Sequence, residues 1–175
     1  MKRSEVEHVL RAASAITQET SFVVVGSQAI LMAYPFAPDE LTVSRELDLY
    51  PALSPEKADL IDGAIGALSL FDQTFSYHAD GVGPETAVFP PDWHAREQLF
   101  YIGDVTVICP EVHDLAVSKC VAGREKDADF IRALFKHRMI DLTLMLARIA
   151  QLDDSKYPVQ HITQWTQRRA QEAQS

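Results

Sequence analysis

Cysteine is scarce in this sequence, and the spacing of its histidines offers no substitute for a metal-binding motif. The two cysteines, Cys109 and Cys120, lie too far apart for a CxxC redox pair or a zinc knuckle. The six histidines show no HxxxH spacing, so a structural zinc site is not expected. Both thiols are expected to be buried, because free cysteine behaves as a small hydrophobic residue.

Long apolar runs are also missing. No segment approaches the roughly 18 uninterrupted apolar residues of a membrane-spanning helix. The N-terminal segment MKRSEVEHVLRAA has basic residues but no apolar stretch behind them, so no signal peptide is expected. The sequence therefore predicts a cytoplasmic protein without a membrane partner.

Positive charge is in deficit, since the net charge is −9 at pH 7. Such a charge argues against nonspecific coating of a polyanion. The stretch from Lys119 to Arg138 is an exception, with six Lys or Arg against three acids. It predicts either a local positive face that meets phosphates or a solvated helix face with intrahelical ion pairs.

Strands and helices alternate in the first part of the chain, and only helices follow. Strands are predicted at 22–26, 46–50, 74–82 and 105–110. Helices are predicted at 3–18, 27–34, 54–68, 111–122, 126–137, 140–152 and 158–172. The last strands lie close enough for antiparallel pairing, which favours a mixed sheet. We expect an α+β fold with a core over 1–109 and a helical part over 110–175 packed on it.

Two acids alternate with apolar residues in the strand ELDLY. Glu46 and Asp48 share one face of the strand, roughly 6.6–7 Å apart along it. Two like charges near a core need a positive partner, and Mg²⁺ prefers carboxylate oxygens. The alternative is a surface strand with one polar face.

A Gly-Ser pair precedes these acids, at the end of the buried strand FVVVG. Gly26 allows the backbone to approach a ligand. Ser27 is predicted as the N-cap of a helix whose free N–H groups favour an anion. A phosphate-binding turn followed by a strand of metal-binding acids suits phosphoryl or nucleotidyl transfer.

The order Gly-Ser, helix, then acid-x-acid on the next strand resembles the nucleotidyltransferase superfamily with the DNA polymerase beta-like fold. The resemblance covers about residues 20–135 and is closest to a minimal bacterial branch related to toxin–antitoxin and abortive-infection nucleotidyltransferases. The segment HDLAVSKCVAGREKDADFIRAL at 113–134 extends it, because that branch has a Lys-bearing helix that leads into an Arg-x-Lys-Asp turn.

The resemblance implies roles for individual residues. It implies that Gly26 and Ser27 hold the nucleotide phosphates and that Glu46 and Asp48 coordinate Mg²⁺ or Mn²⁺. The third carboxylate is assigned to Asp80, with Asp72 as a fallback at a helix-to-strand junction. The resemblance also implies that three basic residues neutralise the triphosphate or meet the acceptor, namely Lys119, Arg124 and Lys126. Asp127 would orient this basic group or contact the acceptor.

Structural alternatives remain open for several of these residues. Asp80 before Gly81 is also typical of a turn. Lys119 is also typical of the surface of an amphipathic helix, and Asp127 of a helix N-cap.

The sequence also departs from the superfamily. The connection from Ser27 to Glu46 is longer than is common in its active members, and Glu46 replaces the more usual Asp. A long loop is tolerated because its closure entropy grows slowly with length.

Three functions are therefore compared. The first is Mg²⁺-dependent transfer of a nucleoside monophosphate from an NTP to an acceptor hydroxyl on RNA, protein or a small molecule, in a toxin or defence setting. The second is a catalytically degenerate fold that binds a nucleotide or a protein partner. The third is a small helical regulator whose acids are incidental. The helical half is the expected surface for a partner protein or for a homodimer.

Overall fold

The computed structural model describes residues 1–175, which fall into two units. The sheet unit comprises residues 1–87 and 97–109, and the helical unit comprises residues 88–96 and 110–175. None of the chain's helices combines the length and the hydropathy that a membrane-spanning segment requires.

Five strands form the mixed sheet of the sheet unit. They are β1 (Ser21–Val24), β2 (Glu46–Pro51), β3 (His78–Gly81), β4 (Gln98–Ile102) and β5 (Val105–Cys109). Their order across the sheet is β3-β2-β1-β5-β4. The β2–β3 and β1–β5 pairs are parallel, whereas β1–β2 and β4–β5 are antiparallel.

Four helices complete the sheet unit, and the first three of them bury apolar side chains. They are α1 (Arg3–Thr17), α2 (Ile30–Ala33), α3 (Ala58–Ile65) and α4 (Leu70–Phe75). The buried stripe of α1 has helical spacing, with Val6, Val9, Leu10 and Ala13 all at 0% exposure, as expected of an amphipathic helix. Helix α1 packs on α3, and α3 packs on β3.

The contact between α3 and β3 is close because of one glycine. A Cβ atom on Gly81 would stand 2.1 Å from the carbonyl oxygen of Ala58. No side chain other than hydrogen fits there, so glycine allows α3 to lie directly on β3. This packing brings Asp62 of α3 next to Asp80 of β3, so that the charge of Asp62 contributes to the raised pKa of Asp80.

Four helices and a short segment form the helical unit. The helices are α5 (Val112–Ala122), α6 (Glu125–Lys136), α7 (Leu142–Ile149) and α8 (Val159–Glu172). The segment 88–96 joins them through Arg96, whose guanidinium donates to both oxygens of Asp114 at 2.8 and 2.9 Å. Asp114 is fully buried, so this paired geometry is what makes its charge tolerable.

The structure confirms the α+β class, the mixed sheet and the succession of helices after residue 109. Two expectations about elements were wrong, and one strand was missed. The strand predicted at 74–82 is shorter, because 70–75 is helical. The segments 74–82 and 105–110 do not pair with each other, since β3 pairs with β2. The antiparallel partner of β5 is β4, a strand that was not predicted.

The segment predicted as one helix over 27–34 also differs. It consists of a 3₁₀ turn, Ser27–Ala29, followed by the four-residue α2. Gly26 occupies the N-cap position, and Ser27 is the first residue of the turn. The prediction of Ser27 as the N-cap was therefore wrong, because the turn begins one residue earlier.

Candidate metal centre

The acid-x-acid pair lies on β2 as the alternation predicts. Leu47 and Leu49 point into the core and are fully buried. Glu46 and Asp48 point to the opposite face of the strand and are half-buried. The period of two along a strand accounts for this division, so the local sequence alone determines which face the acids occupy.

The parallel strand β3 completes the acidic cluster. Its register places His78 opposite Glu46 and Asp80 opposite Asp48. Each of Glu46, Asp48 and Asp80 offers a carboxylate oxygen, and these oxygens all lie within 4.8 Å of one another. The structure thus brings together the three carboxylates named from the sequence, from two strands that are joined through α3 and α4.

The electrostatics of the cluster favour a cation. Burial raises the pKa of Asp80, and the negative charges of Asp62 and Glu46 raise it further. The charged form of Asp80 is therefore disfavoured in the protein alone. Hard carboxylate oxygens at this separation fit Mg²⁺ or Mn²⁺ and do not resemble the Cys and His ligands of a zinc site. The donor set suits a divalent cation, which would offset the repulsion.

Gly26 lies against the acidic cluster. A Cβ atom at this position would stand 2.1 Å from Oδ2 of Asp48. The backbone N–H of Val25 also donates to the carbonyl oxygen of Asp48 at 3.0 Å, which fixes the end of β1 against β2. The Gly-Ser turn and the strand acids are therefore neighbours in space, and the third hypothesis, in which they are unrelated, was wrong.

Ser27 follows Gly26, and its hydroxyl accepts a hydrogen bond from Nε2 of Gln28 at 3.1 Å. The 3₁₀ turn that it begins is three residues long. The role of Gly26 and Ser27 in holding phosphates stays a prediction.

The other predicted nucleotide-binding residues belong to the helical unit. Lys119 lies on α5, and Arg124 is the N-cap of α6. Asp127 is the third residue of α6, so its prediction as an N-cap was wrong. Its buried carboxylate accepts from the Arg124 backbone N–H at 3.1 Å and from Arg124 Nε at 2.7 Å. Contact between nucleotide and Lys119, Arg124 or Asp127 stays a prediction.

Two polar residues beside the cluster were missed from the sequence, and a third was misplaced. His78 faces Glu46 across the β2–β3 pair, and the spacing His-Ala-Asp in β3 repeats the spacing Glu-Leu-Asp in β2. That repeat was a usable signal for His78. Asp62 had none, because it depends on how α3 packs. Asp72 lies within α4 rather than at a helix-to-strand junction, and its partner is His78.

Comparison with protein families agrees with this geometry. Residues 4–172 match the model of the family described as "Nucleotidyltransferase of unknown function (DUF6036)". The match spans nearly the whole chain, and the chain belongs to this family. The match confirms the resemblance to nucleotidyltransferases at the level of that broad class. No curated protein and no solved structure matches the chain at a significant level.

Proposed function

We propose that the chain is a Mg²⁺-dependent nucleotidyltransferase that moves a nucleoside monophosphate from an NTP to an acceptor hydroxyl. The observation that carries the proposal is the convergence of Glu46, Asp48 and Asp80, with oxygens within 4.8 Å of one another. Membership of a family described as nucleotidyltransferases supports the reaction type. Mn²⁺ is expected to substitute for Mg²⁺, because both prefer oxygen ligands.

In this proposal the three carboxylates hold the cation and one of them accepts a proton. When bound, the divalent cation neutralises charge on the nucleotide phosphates and on the pyrophosphate leaving group. The acceptor oxygen forms a bond to the α-phosphorus as the bond to pyrophosphate breaks. The proton of the acceptor hydroxyl passes to a carboxylate of the cluster.

The remaining predicted residues bind phosphate groups. Gly26 leaves room for a phosphate beside Asp48, and Ser27 offers a hydroxyl at the start of the following turn. Lys119 and Arg124 neutralise the triphosphate or meet the acceptor. The ion pair between Arg124 Nε and Asp127 Oδ2, at 2.7 Å, supports the role of Asp127 in orienting that basic group.

The acceptor is expected to be RNA, a protein side chain or a small molecule. The net charge of −9 disfavours a long nucleic acid, whereas the basic stretch from Lys119 to Arg138 favours an RNA end. The resemblance to toxin–antitoxin and abortive-infection nucleotidyltransferases motivates a toxin or defence role in the cytoplasm. Expression of the wild type and of Asp48→Ala in bacteria tests this role, since only the active protein should slow growth.

The reaction is tested with each labelled NTP, Mg²⁺ or Mn²⁺, and separate pools of total RNA, cell protein and small metabolites. The wild type should transfer label to one pool. Asp48→Ala should reduce transfer by more than about 100-fold, because removing a metal ligand should cost at least as much as removing an outer-shell partner. Asp59→Ala is the matched control, since Asp59 is an exposed acid of α3 outside the cluster.

Two results would change the proposal. Label transfer that persists in Asp48→Ala would remove the carboxylate cluster from the reaction. Binding of Mn²⁺ and of an NTP analogue by the wild type without any transfer would replace catalysis with the alternative function, a degenerate fold that binds nucleotide.

A further inference from the structure

A buried glutamine joins the Gly-Ser turn to the long connection that leads to β2. Gln28 is only 1% exposed. Its Nε2 donates to Ser27 Oγ at 3.1 Å and to the carbonyl oxygen of Leu41 at 3.2 Å. Burying an amide costs free energy unless its polar atoms are hydrogen-bonded, so these two bonds fix the side chain as a bridge between the turn and the connection.

The surroundings of Gln28 determine which end of its amide faces Ser27. The Leu41 carbonyl can only accept a hydrogen bond, so the atom that faces it must be the NH₂ group. At the other end, Oε1 lies 3.3 Å from the nitrogen of Met1, which is a donor. Both contacts require the same orientation of the amide. Ser27 Oγ contacts the NH₂ group and is therefore the acceptor in that bond.

A hydroxyl that accepts a hydrogen bond keeps its own proton for another partner. Serine has one O–H donor and two acceptor lone pairs. The amide of Gln28 occupies a lone pair of Ser27 Oγ, so the O–H must point away from Gln28. Hydrogen bonds in a chain also polarise one another, so a hydroxyl that accepts from an amide is a stronger donor. The Ser27 hydroxyl is thus prepared to donate to an anion.

The place of Ser27 in the fold indicates which anion this is. Ser27 is half-buried and follows Gly26, where a Cβ atom would stand 2.1 Å from Oδ2 of Asp48. The hydroxyl therefore belongs to the turn that borders the acidic cluster. The phosphates of an NTP bind beside the cation that carries them, so their oxygens are the acceptors expected near this turn.

We propose that Gln28 is a positioning residue that directs the Ser27 hydroxyl to donate to a phosphate of the bound nucleotide. The inference rests on the proposed function, since it deepens the role of the Gly-Ser turn in that reaction. Gln28 is buried and acts through Ser27 without touching the nucleotide. A purely structural role is the alternative, because the bond to Leu41 also anchors the connection that leads to β2.

Binding of a nucleotide that cannot be transferred tests the proposal without reference to catalysis. The four α,β-methylene ribonucleoside triphosphates are titrated by calorimetry with Mg²⁺, and the one that the wild type binds most tightly is used for the variants. Ser27→Ala should raise its dissociation constant about 10-fold or more, as expected for the loss of a hydrogen bond to a charged group. Gln28→Met, which is similar in size but has no N–H donor, should raise it about fivefold or more.

Two further measurements separate positioning from structure. In the Ser27→Ala background there is no hydroxyl to direct, so adding Gln28→Met should change the dissociation constant less than about twofold. Such a double-mutant cycle isolates the interaction between the two residues. Gln28→Met should also bind Mn²⁺ alone within about twofold of the wild type, because the carboxylates of the acidic cluster are unchanged.

Thr17→Val is the control for the loss of a buried hydrogen bond elsewhere in the same unit. The Thr17 hydroxyl is buried and donates to the carbonyl oxygen of Ala13 at 2.8 Å within α1. Valine has nearly the same shape and cannot form this bond. The variant should be less stable than the wild type in urea and should bind the nucleotide analogue with unchanged affinity.

The outcomes distinguish this inference from the proposed function. Equal losses of nucleotide affinity from Gln28→Met in both backgrounds, an equal loss of Mn²⁺ affinity, or a comparable loss in Thr17→Val would overturn the positioning role and leave the proposed function intact. Unchanged nucleotide affinity in Ser27→Ala would do the same. A wild-type protein that binds none of the analogues would overturn both. Should Gln28→Met fail to fold, Gln28→Asn, whose amide is one methylene shorter, replaces it in the same cycle.

Discussion

Gly26 and Asp48 lie so close together that a methyl group on the glycine would stand 2.1 Å from the aspartate Oδ2 and 2.9 Å from its Cβ. Because the second of these atoms is attached to the backbone of β2, rotation of the Asp48 side chain cannot by itself relieve the overlap. The identity of residue 26 and the position of a candidate metal ligand are therefore coupled.

Gly26→Ala is expected to weaken Mn²⁺ binding by about 10-fold or more, a loss comparable to that caused by disturbing an outer-shell partner. It should also lower the free energy of unfolding by about 1–3 kcal/mol, as overpacking does. The backbone at Gly26 has φ −82° and ψ 179°, which alanine adopts without strain, so the effect reports on Asp48. Titration calorimetry and urea denaturation measure the two quantities.

Gly63→Ala is the matched control. Nothing lies within 4 Å of a Cβ atom at Gly63, which is in the interior of α3. Alanine should stabilise the protein there by roughly 0.5–1 kcal/mol and leave Mn²⁺ binding unchanged. Equal changes in Mn²⁺ affinity and in the free energy of unfolding for Gly26→Ala and Gly63→Ala would contradict the coupling between Gly26 and Asp48.

Asp80→Asn should make the metal-free protein more stable and remove its response to metal. Burial and the charges of Asp62 and Glu46 raise the pKa of Asp80, so the ionised side chain destabilises the folded state at neutral pH. An amide removes that charge. A gain of about 1 kcal/mol corresponds to a rise in Tm of roughly 2–4 °C for a chain of this size.

Thermal denaturation with and without Mn²⁺ measures both effects. Mn²⁺ should raise the Tm of the wild type, because a ligand that binds only the folded state stabilises it. It should not raise that of Asp80→Asn. Asp59→Asn, at an exposed site on the same helix as Asp62, should resemble the wild type. A lower Tm for metal-free Asp80→Asn, together with a retained Mn²⁺ response, would contradict the assignment of Asp80.

Glu111→Gln should destabilise the protein in a pH-dependent way. Burial alone would raise the pKa of Glu111, but the hydrogen bonds and charges of His113 and Arg148 outweigh it and lower the pKa from 4.5 to about 2. The unfolded state then binds the proton more readily. The stabilisation is complete above pH 4.5 and is lost as the pH falls toward about 2.

Urea denaturation over this pH range measures the difference in the free energy of unfolding between Glu111→Gln and the wild type. At neutral pH it should be roughly 1.5–3 kcal/mol, the range for hydrogen bonds to charged groups. It should shrink steadily in acid. A difference that is independent of pH would mean that shape, rather than charge, makes Glu111 stabilising.

Cys109 and Cys120 should be unreactive in the folded protein. Both are buried, and burial raises the pKa of each thiol to about 12. Because the thiolate is the reactive form, a thiol reagent at mildly alkaline pH should label neither cysteine until denaturant is added, when it should label both. Rapid labelling of the native protein would contradict the burial of these residues.

The parts of the site that were predictable from sequence are those fixed by local periodicity. The alternation in ELDLY determines that Glu46 and Asp48 share a face whatever surrounds the strand. Asp80 was assigned from the resemblance, which implies a third carboxylate on a following strand. For His78 the His-Ala-Asp spacing was a local signal, although only the β2–β3 register decides that it faces Glu46. Asp62 became a neighbour of the cluster through the packing of α3 on Gly81, which no short window encodes.

The missed strand β4 has a different explanation. Leu99 and Tyr101 are exposed and Ile102 is buried, so apolar residues occur on both faces of this edge strand and no alternation is visible. The signal that was available is the two-residue connection Gly103–Asp104 between β4 and β5. Gly103 has φ +57°, which is typical of a tight hairpin turn.

The path of the chain through residues 88–96 has a practical consequence for dissecting the protein. The backbone leaves the sheet unit at residue 88, supplies Arg96 to Asp114, and returns to form β4 and β5. A gene fragment that ends after residue 109 would keep the ion pair of Arg96 with Asp92 but lose the one with Asp114, and the complementary fragment would leave the buried Asp114 with Arg148 alone. Each piece should therefore be less stable than the intact protein, and an activity assigned to either piece alone should be compared with that of the two pieces co-expressed.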